Sequence, residues 1–286
     1  MNKKVDFIHL GQDRIYTDAT GLKQLLNFYQ ECIKLTNCTI PISLANVEWI
    51  DGNMCAVVAG LLYSLSTERQ LRFTFDAQEI ASKFNNILFR NGFLNIEMTG
   101  KANEDVTALP CQAFYPSDKD GYIAYLFEKL LTHEGMPKFS EEELAKIVDD
   151  LTELLSNINL HAGTEHPFFI CGQFYPTVNK VKVTVSDIGV GFLPKIATHT
   201  NNEIDTAKDA ITWAVNGNTI KTDATGGINL RRMKEYFFNS GGEMHIVTGN
   251  AYWNTANIGT VLYPEGIIEM PYNILGTTIH LVFNKK

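Results

Sequence analysis

Three polar side chains recur at every fourth residue in one segment of the sequence, namely Glu153, Asn157 and His161. Because side chains four residues apart lie on the same face of an α-helix, these three would form one polar row. A carboxylate, an amide and an imidazole in a row can hold a metal–phosphate group and polarise a water molecule or a hydroxyl group. Taken alone, the pattern favours an ordinary solvent-exposed helix face.

A second candidate group follows an apolar segment, where Asp187 is followed by Gly189 and Gly191. Glycines allow a flat ligand or a phosphate to approach the backbone, and the aspartate can accept a hydrogen bond from an amino group. An ordinary turn at the end of a strand has the same composition. The D-x-G-x-G segment is therefore weak evidence by itself.

Two further glycine-containing segments precede predicted elements. The segment TGGINL, residues 225–230, leads into a predicted helix whose free N–H groups would form a natural phosphate-binding site. The segment LGTT, residues 275–278, opens the last predicted strand. A flexible loop and a plain turn are the alternative interpretations.

The polar row lies on a helix predicted to begin at Ser140, because Ser140 and Glu143 match the capping box. Apolar periodicity predicts a shorter helix before it and further elements after it. In chain order these are a helix at 123–131, strands at 168–174 and 180–186, a loop-rich stretch at 192–225, a helix at 228–238 and strands at 243–249 and 277–283. This half is predicted to be an α/β sandwich, with helices layered on a mixed sheet.

The first half alternates predicted strands and helices as far as about residue 98, which favours a small α/β domain. The strands are predicted at 5–10, 40–47 and 71–76, and the helices at 22–33, 54–65 and 80–93. Residues 99–120 are polar and contain prolines, which is typical of a domain boundary. We therefore expect two domains, residues 1–105 and residues 106–286.

The order and spacing of the four glycine- and asparagine-containing segments resemble the GHKL ATP-binding fold. DNA gyrase, heat-shock chaperone ATPases, histidine kinases and anti-sigma serine kinases share this fold. ELLSNINLHAG is similar to its N-box, DIGVGF to its G1 box, TGGINL to its G2 box and GTT to its final box. The resemblance covers residues 120–284, with Thr225 in place of the first G2 glycine and Ile228 in place of the G2 leucine.

This resemblance implies Mg²⁺ and ATP as cofactors and assigns a role to each matching position. Asn157 would coordinate the Mg²⁺ bound to the triphosphate, and Glu153 would act as the base or orient a water molecule. Asp187 would accept a hydrogen bond from the adenine amino group. The other implied nucleotide contacts are His161, Gly189, Gly191, Lys221, Gly226, Gly227, Ile228 and Thr277.

The first half resembles a STAS domain, the fold of anti-sigma-factor antagonists. The resemblance rests on ISLANVEWIDGNMCAVVAGLLYSLS, LRFTFD and ILFRNGFL, where a strand ends in Ile50-Asp51 and a helix starts at the next turn. In that family the turn after the aspartate often presents a serine that an anti-sigma kinase phosphorylates. Gly52 occupies that position here, so the acceptor hydroxyl is missing.

Together the two resemblances imply an ATP-binding regulator of a protein partner of the sigma, anti-sigma or STAS type. Three mechanisms stay open. The first is phosphoryl transfer to a serine or threonine of the partner. The second is an ATP-gated interaction module, with residues 192–225 as its lid and little or no catalysis, and the third is a dimerising ATPase. The sequence has no P-loop motif, and His133 lies in a poor context for a phosphorylated histidine. A conventional histidine kinase is therefore not expected.

Composition, net charge and cysteine spacing argue against several other classes of protein. Acidic residues outnumber basic residues 32 to 24, and a formal net charge of −8 disfavours nonspecific binding to nucleic acid. We find no apolar run of the length expected for a signal sequence or a membrane span. The five cysteines include no C-x-x-C pair, so we expect buried, reduced thiols in a cytoplasmic protein.

Overall fold

The computed structural model describes residues 6–82, 87–94, 107–220 and 228–285. The helices are α1 (Ala19–Cys32), α2 (Cys55–Arg69), α3 (Ala77–Ser82), α4 (Ile87–Arg90), α5 (Lys119–Tyr125), α6 (Glu141–His161), α7 (Leu193–His199), α8 (Ala207–Val215) and α9 (Ile228–Ser240). The strands are β1 (Ile8–His9), β2 (Asp13–Ile15), β3 (Thr39–Ser43), β4 (Val47–Ile50), β5 (Arg72–Phe75), β6 (Ala108–Phe114), β7 (Phe168–Tyr175), β8 (Lys180–Ser186), β9 (Glu243–Ile258) and β10 (Glu265–Asn284). The mixed α/β class predicted from the sequence is confirmed.

The first half is built on a parallel sheet in the order β1-β3-β5. Parallel neighbours need a crossover connection, which α1 provides between β1 and β3 and α2 provides between β3 and β5. A separate parallel pair, β2 and β4, brings the end of β4 beside Ile15. The Asp51–Met54 turn therefore follows directly from a paired strand and leads into α2.

The second half is built on an antiparallel sheet in the order β6-β7-β8-β10-β9. Four predictions for this half were wrong in detail. The sheet was expected to be mixed, but every pair of neighbouring strands in the described ranges is antiparallel. The stretch 99–120 contains β6, whose Pro110 is tolerated because β6 is an edge strand. The loop-rich stretch 192–225 contains α7 and α8, and β9 and β10 extend well beyond 243–249 and 277–283 as a long hairpin.

Both faces of this five-stranded sheet are buried. On the front face, the apolar sides of α6, α8 and α9 form one core with alternate residues of the sheet, including Val181, Val183 and Val185. On the back face, α1 and α2 of the first half form a second core that includes Phe169 and Cys171 of β7. The two halves of the sequence therefore share a hydrophobic core across the back face.

A buried ion pair crosses that back-face interface. Asp51 is 1 % exposed, and its carboxylate accepts hydrogen bonds from Lys182 Nζ at 2.6 Å, from the Thr17 backbone N–H at 2.8 Å and from Trp49 Nε1 at 2.9 Å. Burial by itself would raise the pKa of Asp51, but the Lys182 charge and these hydrogen bonds lower it below its ordinary value. Asp51 is thus held ionised beneath the sheet.

The residues after Asp51 complete this interface. The Gly52 N–H lies 3.0 Å from Gln173 Oε1 and 3.1 Å from the Tyr175 hydroxyl oxygen, and Asn53 Nδ2 donates to Thr184 Oγ1 at 2.7 Å. A side-chain carbon on Gly52 would lie 2.6 Å from Gln173 Oε1, closer than contact allows. The turn where a STAS-type serine would lie is therefore buried against the second half, and a side chain there would require Gln173 and Ile87 to move.

None of the helices in the described ranges is long and apolar enough to cross a membrane.

We predict that Lys182→Met lowers the free energy of unfolding by about 3 kcal/mol near neutral pH, because it leaves the Asp51 carboxylate buried without its counterion. In the wild type the lowered pKa of Asp51 stabilises the fold above its unfolded-state pKa, and this contribution is lost as the pH falls through the folded-state value. In the variant, burial raises the pKa of Asp51, so the deficit should shrink on acidification. Urea unfolding across the pH range measures both effects.

Lys208→Met is the matched control, because the Lys208–Glu265 pair is more than half exposed on both sides. This control should cost less than about 1 kcal/mol. An equal loss in the free energy of unfolding for the two variants would contradict a central role for the Asp51–Lys182 pair.

Candidate functional site

A cleft opens on the front face of the sheet, between α6 and the segment from α7 to α8. Its empty volume is about 890 Å³, a figure that includes the open mouth. The walls are mostly apolar and include Leu154, Ile158, Phe192, Trp213 and Ile279. Such a cleft can take a flat, partly apolar ligand whose polar groups meet a few fixed side chains.

Five of the residues singled out in the sequence line this cleft together: Glu153, Asn157, Asp187, Gly191 and Thr277. They come from α6, from the loop after β8 and from β10, so segments up to 124 residues apart in the chain converge. The spacing of four residues on α6 places Glu153 and Asn157 on the same side, as predicted.

The other predicted site residues fall elsewhere or cannot be placed. Gly189 does not line this cleft and lies against a separate groove on the far side of the loop. Lys221, Gly226 and Gly227 lie outside the described residues. His161 and Ile228 belong to the last turn of α6 and the first turn of α9, but their side chains lie outside the described set.

Asp187 is the buried carboxyl group of the cleft, with 6 % of the residue exposed. Burial raises its pKa to about 6, although hydrogen bonds from the backbone N–H groups of Gly189 and Thr277 act in the opposite direction. Asp187 Oδ1 accepts the Gly189 N–H at 2.8 Å, and the Asp187 N–H donates to the Thr277 carbonyl at 2.9 Å. The side chain is therefore held rigidly and is close to its titration point at neutral pH.

The glycines around Asp187 serve close backbone packing. A side chain on Gly189 would collide with the Ala162 carbonyl at the end of α6, and one on Gly276 would collide with the Asp187 carboxylate. Gly191 has a φ of +75°, and a side chain there would meet Thr248 Oγ1. Both glycines therefore make room for other parts of the chain, Gly189 for the end of α6 and Gly191 for Thr248, although Gly191 also lines the cleft.

One arginine ties α9 to α6 beside the cleft. Arg232 Nε donates to Asp150 Oδ1 at 2.8 Å, and another guanidinium nitrogen donates to Asp149 Oδ2 at 2.6 Å. Burial raises the pKa of Asp150 to about 6, even though Arg232 favours its charged form. Because Asn229 and Leu230 at the start of α9 line the cleft, this pairing fixes the helix end that faces any ligand.

Sequence reasoning missed Lys195 and Trp213, which also line the cleft. Lys195 lies four residues after Gly191 on α7, and Trp213 lies on α8, both in a stretch that was predicted to be loop-rich. The helical periodicity of residues 207–215, with Ala207, Ala210, Ile211 and Ala214 buried, was the signal that could have identified α8.

In the described parts of the chain, no group of three or more His, Cys, Asp and Glu side chains is arranged to hold a metal ion. All five cysteines are free thiols, as expected, and four of them are buried. Oxygen atoms of Glu153 and Asn157 are the donors at this cleft that suit a hard cation such as Mg²⁺.

We predict that Arg232→Met lowers the free energy of unfolding by about 3 kcal/mol near pH 8, because Asp150 stays buried without its partner. A raised pKa means that the folded state holds this proton more tightly than the unfolded state, so ionisation of Asp150 opposes folding as the pH rises. The deficit should therefore be smaller near pH 5, as measured by urea unfolding.

The neighbouring variant Arg231→Met is the control, since its pair with Glu235 is 59 % and 54 % exposed. This variant should lower the free energy of unfolding by less than about 0.5 kcal/mol at either pH. A pH-independent deficit in Arg232→Met would contradict the role given to Asp150.

Comparison with models of known protein families, with curated protein sequences and with solved structures gives no significant match to this chain. The functional argument therefore rests on the residues and geometry of the cleft.

Proposed function

We propose that this chain binds Mg-ATP in the front-face cleft and uses the bound nucleotide to control a protein partner. One observation carries the proposal: Glu153, Asn157, Asp187 and Thr277 converge on a single apolar cleft, in the order that the GHKL resemblance implies. The apolar walls suit a purine ring, and the carboxylate and amide on α6 suit the metal–phosphate end.

At the base end, the ionised Asp187 accepts a hydrogen bond from the adenine amino group. A guanine ring presents a carbonyl oxygen at the equivalent position, so an ionised carboxylate there rejects guanine by repulsion between two acceptors. The hydrogen bond from Gly189 and the backbone pairing with Thr277 hold the carboxylate in place before the ligand arrives. This preorganisation supports selectivity for adenine over guanine.

At the phosphate end, Asn157 and Glu153 lie one helical turn apart on α6. Asn157 would hold a bound Mg²⁺, which would neutralise phosphate charge there. Glu153 orients or deprotonates the attacking hydroxyl group or water. Lys195 adds a positive charge to the cleft, and Asn229 and Leu230 bring the N-terminal end of α9 to its lining.

The manner of control has two candidate forms. In the first, the γ-phosphate is transferred to a serine or threonine of a partner protein, as in the anti-sigma kinases that the sequence resembles. In the second, nucleotide binding alone gates the interaction. The buried turn at Gly52 favours a partner outside this chain for either form, because its own STAS-like turn has no hydroxyl and lies on the back face of the sheet.

We predict that Asp187→Asn weakens ATP binding by at least about tenfold and abolishes the preference for ATP over GTP. The wild-type affinity should fall as the pH drops below about 6, because protonation removes the negative charge of Asp187 and turns one acceptor oxygen into a donor, and the variant should lack this dependence. Isothermal titration calorimetry with ATP and GTP in the presence of Mg²⁺ measures both effects.

The ligand-free Asp187→Asn variant should be more stable than the wild type by about 1 kcal/mol near neutral pH, since a carboxylate with a raised pKa opposes folding once ionised. Asp205→Asn, which changes an exposed carboxylate outside the cleft, is the matched control and should bind ATP normally. Wild-type protein that binds ATP and GTP equally would overturn the assignment of Asp187.

A second prediction concerns Asn157→Ala, which should remove Mg²⁺-dependent nucleotide binding and leave the unfolding transition intact. Incubation of the wild type with γ-labelled ATP, Mg²⁺ and candidate partners then separates the mechanisms. Label on a protein serine or threonine indicates a kinase, free phosphate indicates an ATPase, and tight binding without either indicates a gated module. Unchanged binding in Asn157→Ala would contradict the proposed metal–phosphate end.

A further inference from the structure

The loop that carries Asp187 is in contact with the first half of the chain. Gly60, which is buried in α2, faces this loop: a methyl group added to Gly60 would lie 3.3 Å from Ile188 Cγ2 and 3.6 Å from Phe169 Cδ2. Ile188 lies between Asp187, which faces the front-face cleft, and Gly189. The absence of a side chain at position 60 therefore sets how closely α2 approaches this loop.

One helical turn further along α2, Tyr63 contacts the segment that follows α6. Its ring lies 5.6 Å from the His166 ring and 5.9 Å from the Phe169 ring, centroid to centroid. Gly60 and Tyr63 are three residues apart and lie on the same face of the helix. One face of α2 thus supports both the 187–191 loop and the segment after α6.

The 187–191 loop also contacts the C-terminal end of α6. The Val190 N–H donates to the Ala162 carbonyl at 2.8 Å, and Gly189 lies directly against Ala162. The loop that carries Asp187 is therefore held by its pairing with Thr277, by backbone contacts with the end of α6 and by the approach of α2 to Ile188. A group added to Gly60 would press first on Ile188, the immediate neighbour of Asp187.

We infer that Gly60 and Ile188 are positioning residues, through which the STAS-like half sets the nucleotide affinity of the cleft. This inference rests on the proposed ATP site and adds a regulatory role for the first half of the chain. The described part of the first half lies on the face of the sheet opposite the cleft, so its route to the ligand runs through this loop. A partner that shifts α2 would change nucleotide affinity in the same way.

The test is a double-mutant cycle of Gly60→Val and Ile188→Ala, with ATP and Mg²⁺ as the probe. Gly60→Val places two methyl groups against Ile188 and should weaken ATP binding by at least about tenfold. In the Ile188→Ala background there is room for the valine, so Gly60→Val should then add less than about a threefold effect. Ser66→Val is the control for a β-branched residue on an exposed position of α2, and it should leave binding unchanged.

A second readout needs no ligand. Amide hydrogen exchange of Gly189 and Val190 should become at least about tenfold faster in Gly60→Val, and the double variant should reverse this change. If Gly60→Val does not fold, Gly60→Ala provides the smaller perturbation with the same two readouts. Unchanged affinity and exchange in a folded Gly60 variant, or a loss that Ile188→Ala does not relieve, would overturn the inference.

The two readouts separate this inference from the proposed function. Wild-type protein that does not bind ATP contradicts the proposed function, whereas the exchange experiment still measures whether α2 positions the loop. Wild-type protein that binds ATP together with a silent Gly60→Val variant contradicts the inference alone.

Discussion

The arrangement of the whole chain depends on one buried contact, the ion pair between Asp51 and Lys182. A carboxylate in a buried interface is stable only if a cation and further donors replace its water, and Lys182, Thr17 and Trp49 meet this requirement from three different segments. Because Lys182 lies on the central sheet and Asp51 begins the turn into α2, the pair fixes the first half on the back of that sheet. The position of α2 follows from this contact.

The two faces of β8 and β10 contact different parts of the molecule because of the geometry of a strand. Successive side chains of a strand point to opposite faces, so Val185 and Ile279 line the cleft while Thr184 and His280 face the first half. Asp187 directly follows the end of β8 at Ser186, and its N–H donates to the carbonyl of Thr277 on the neighbouring β10. A change in packing between the first half and the back face of the sheet can therefore alter the geometry of the cleft, although no described residue of the first half lies in it.

Asp187 also illustrates a conflict between stability and binding. Its burial raises its pKa to about 6, so at neutral pH the folded chain holds an ionised carboxylate in an environment that opposes the charge. Natural proteins retain such a group where a ligand uses it. The glycines at 189, 191 and 276 belong to the same arrangement, because their missing side chains let α6, β9 and β10 close around the carboxylate.

The sequence by itself determined the mixed α/β class, the capping box at Ser140, the extent of β8 and the grouping of Glu153 with Asn157. The capping box follows from local hydrogen bonding at a helix start, and the other three follow from the periods of helices and strands. It did not reveal β6, α7 or α8, because Pro110 and polar residues mask elements whose stability comes from packing. Only the tertiary structure decided that the first half lies against the sheet, that Gly52 packs against Gln173, and that Lys195 and Trp213 line the cleft. These are contacts between residues far apart in sequence, and no local pattern specifies which distant surface a buried face will meet.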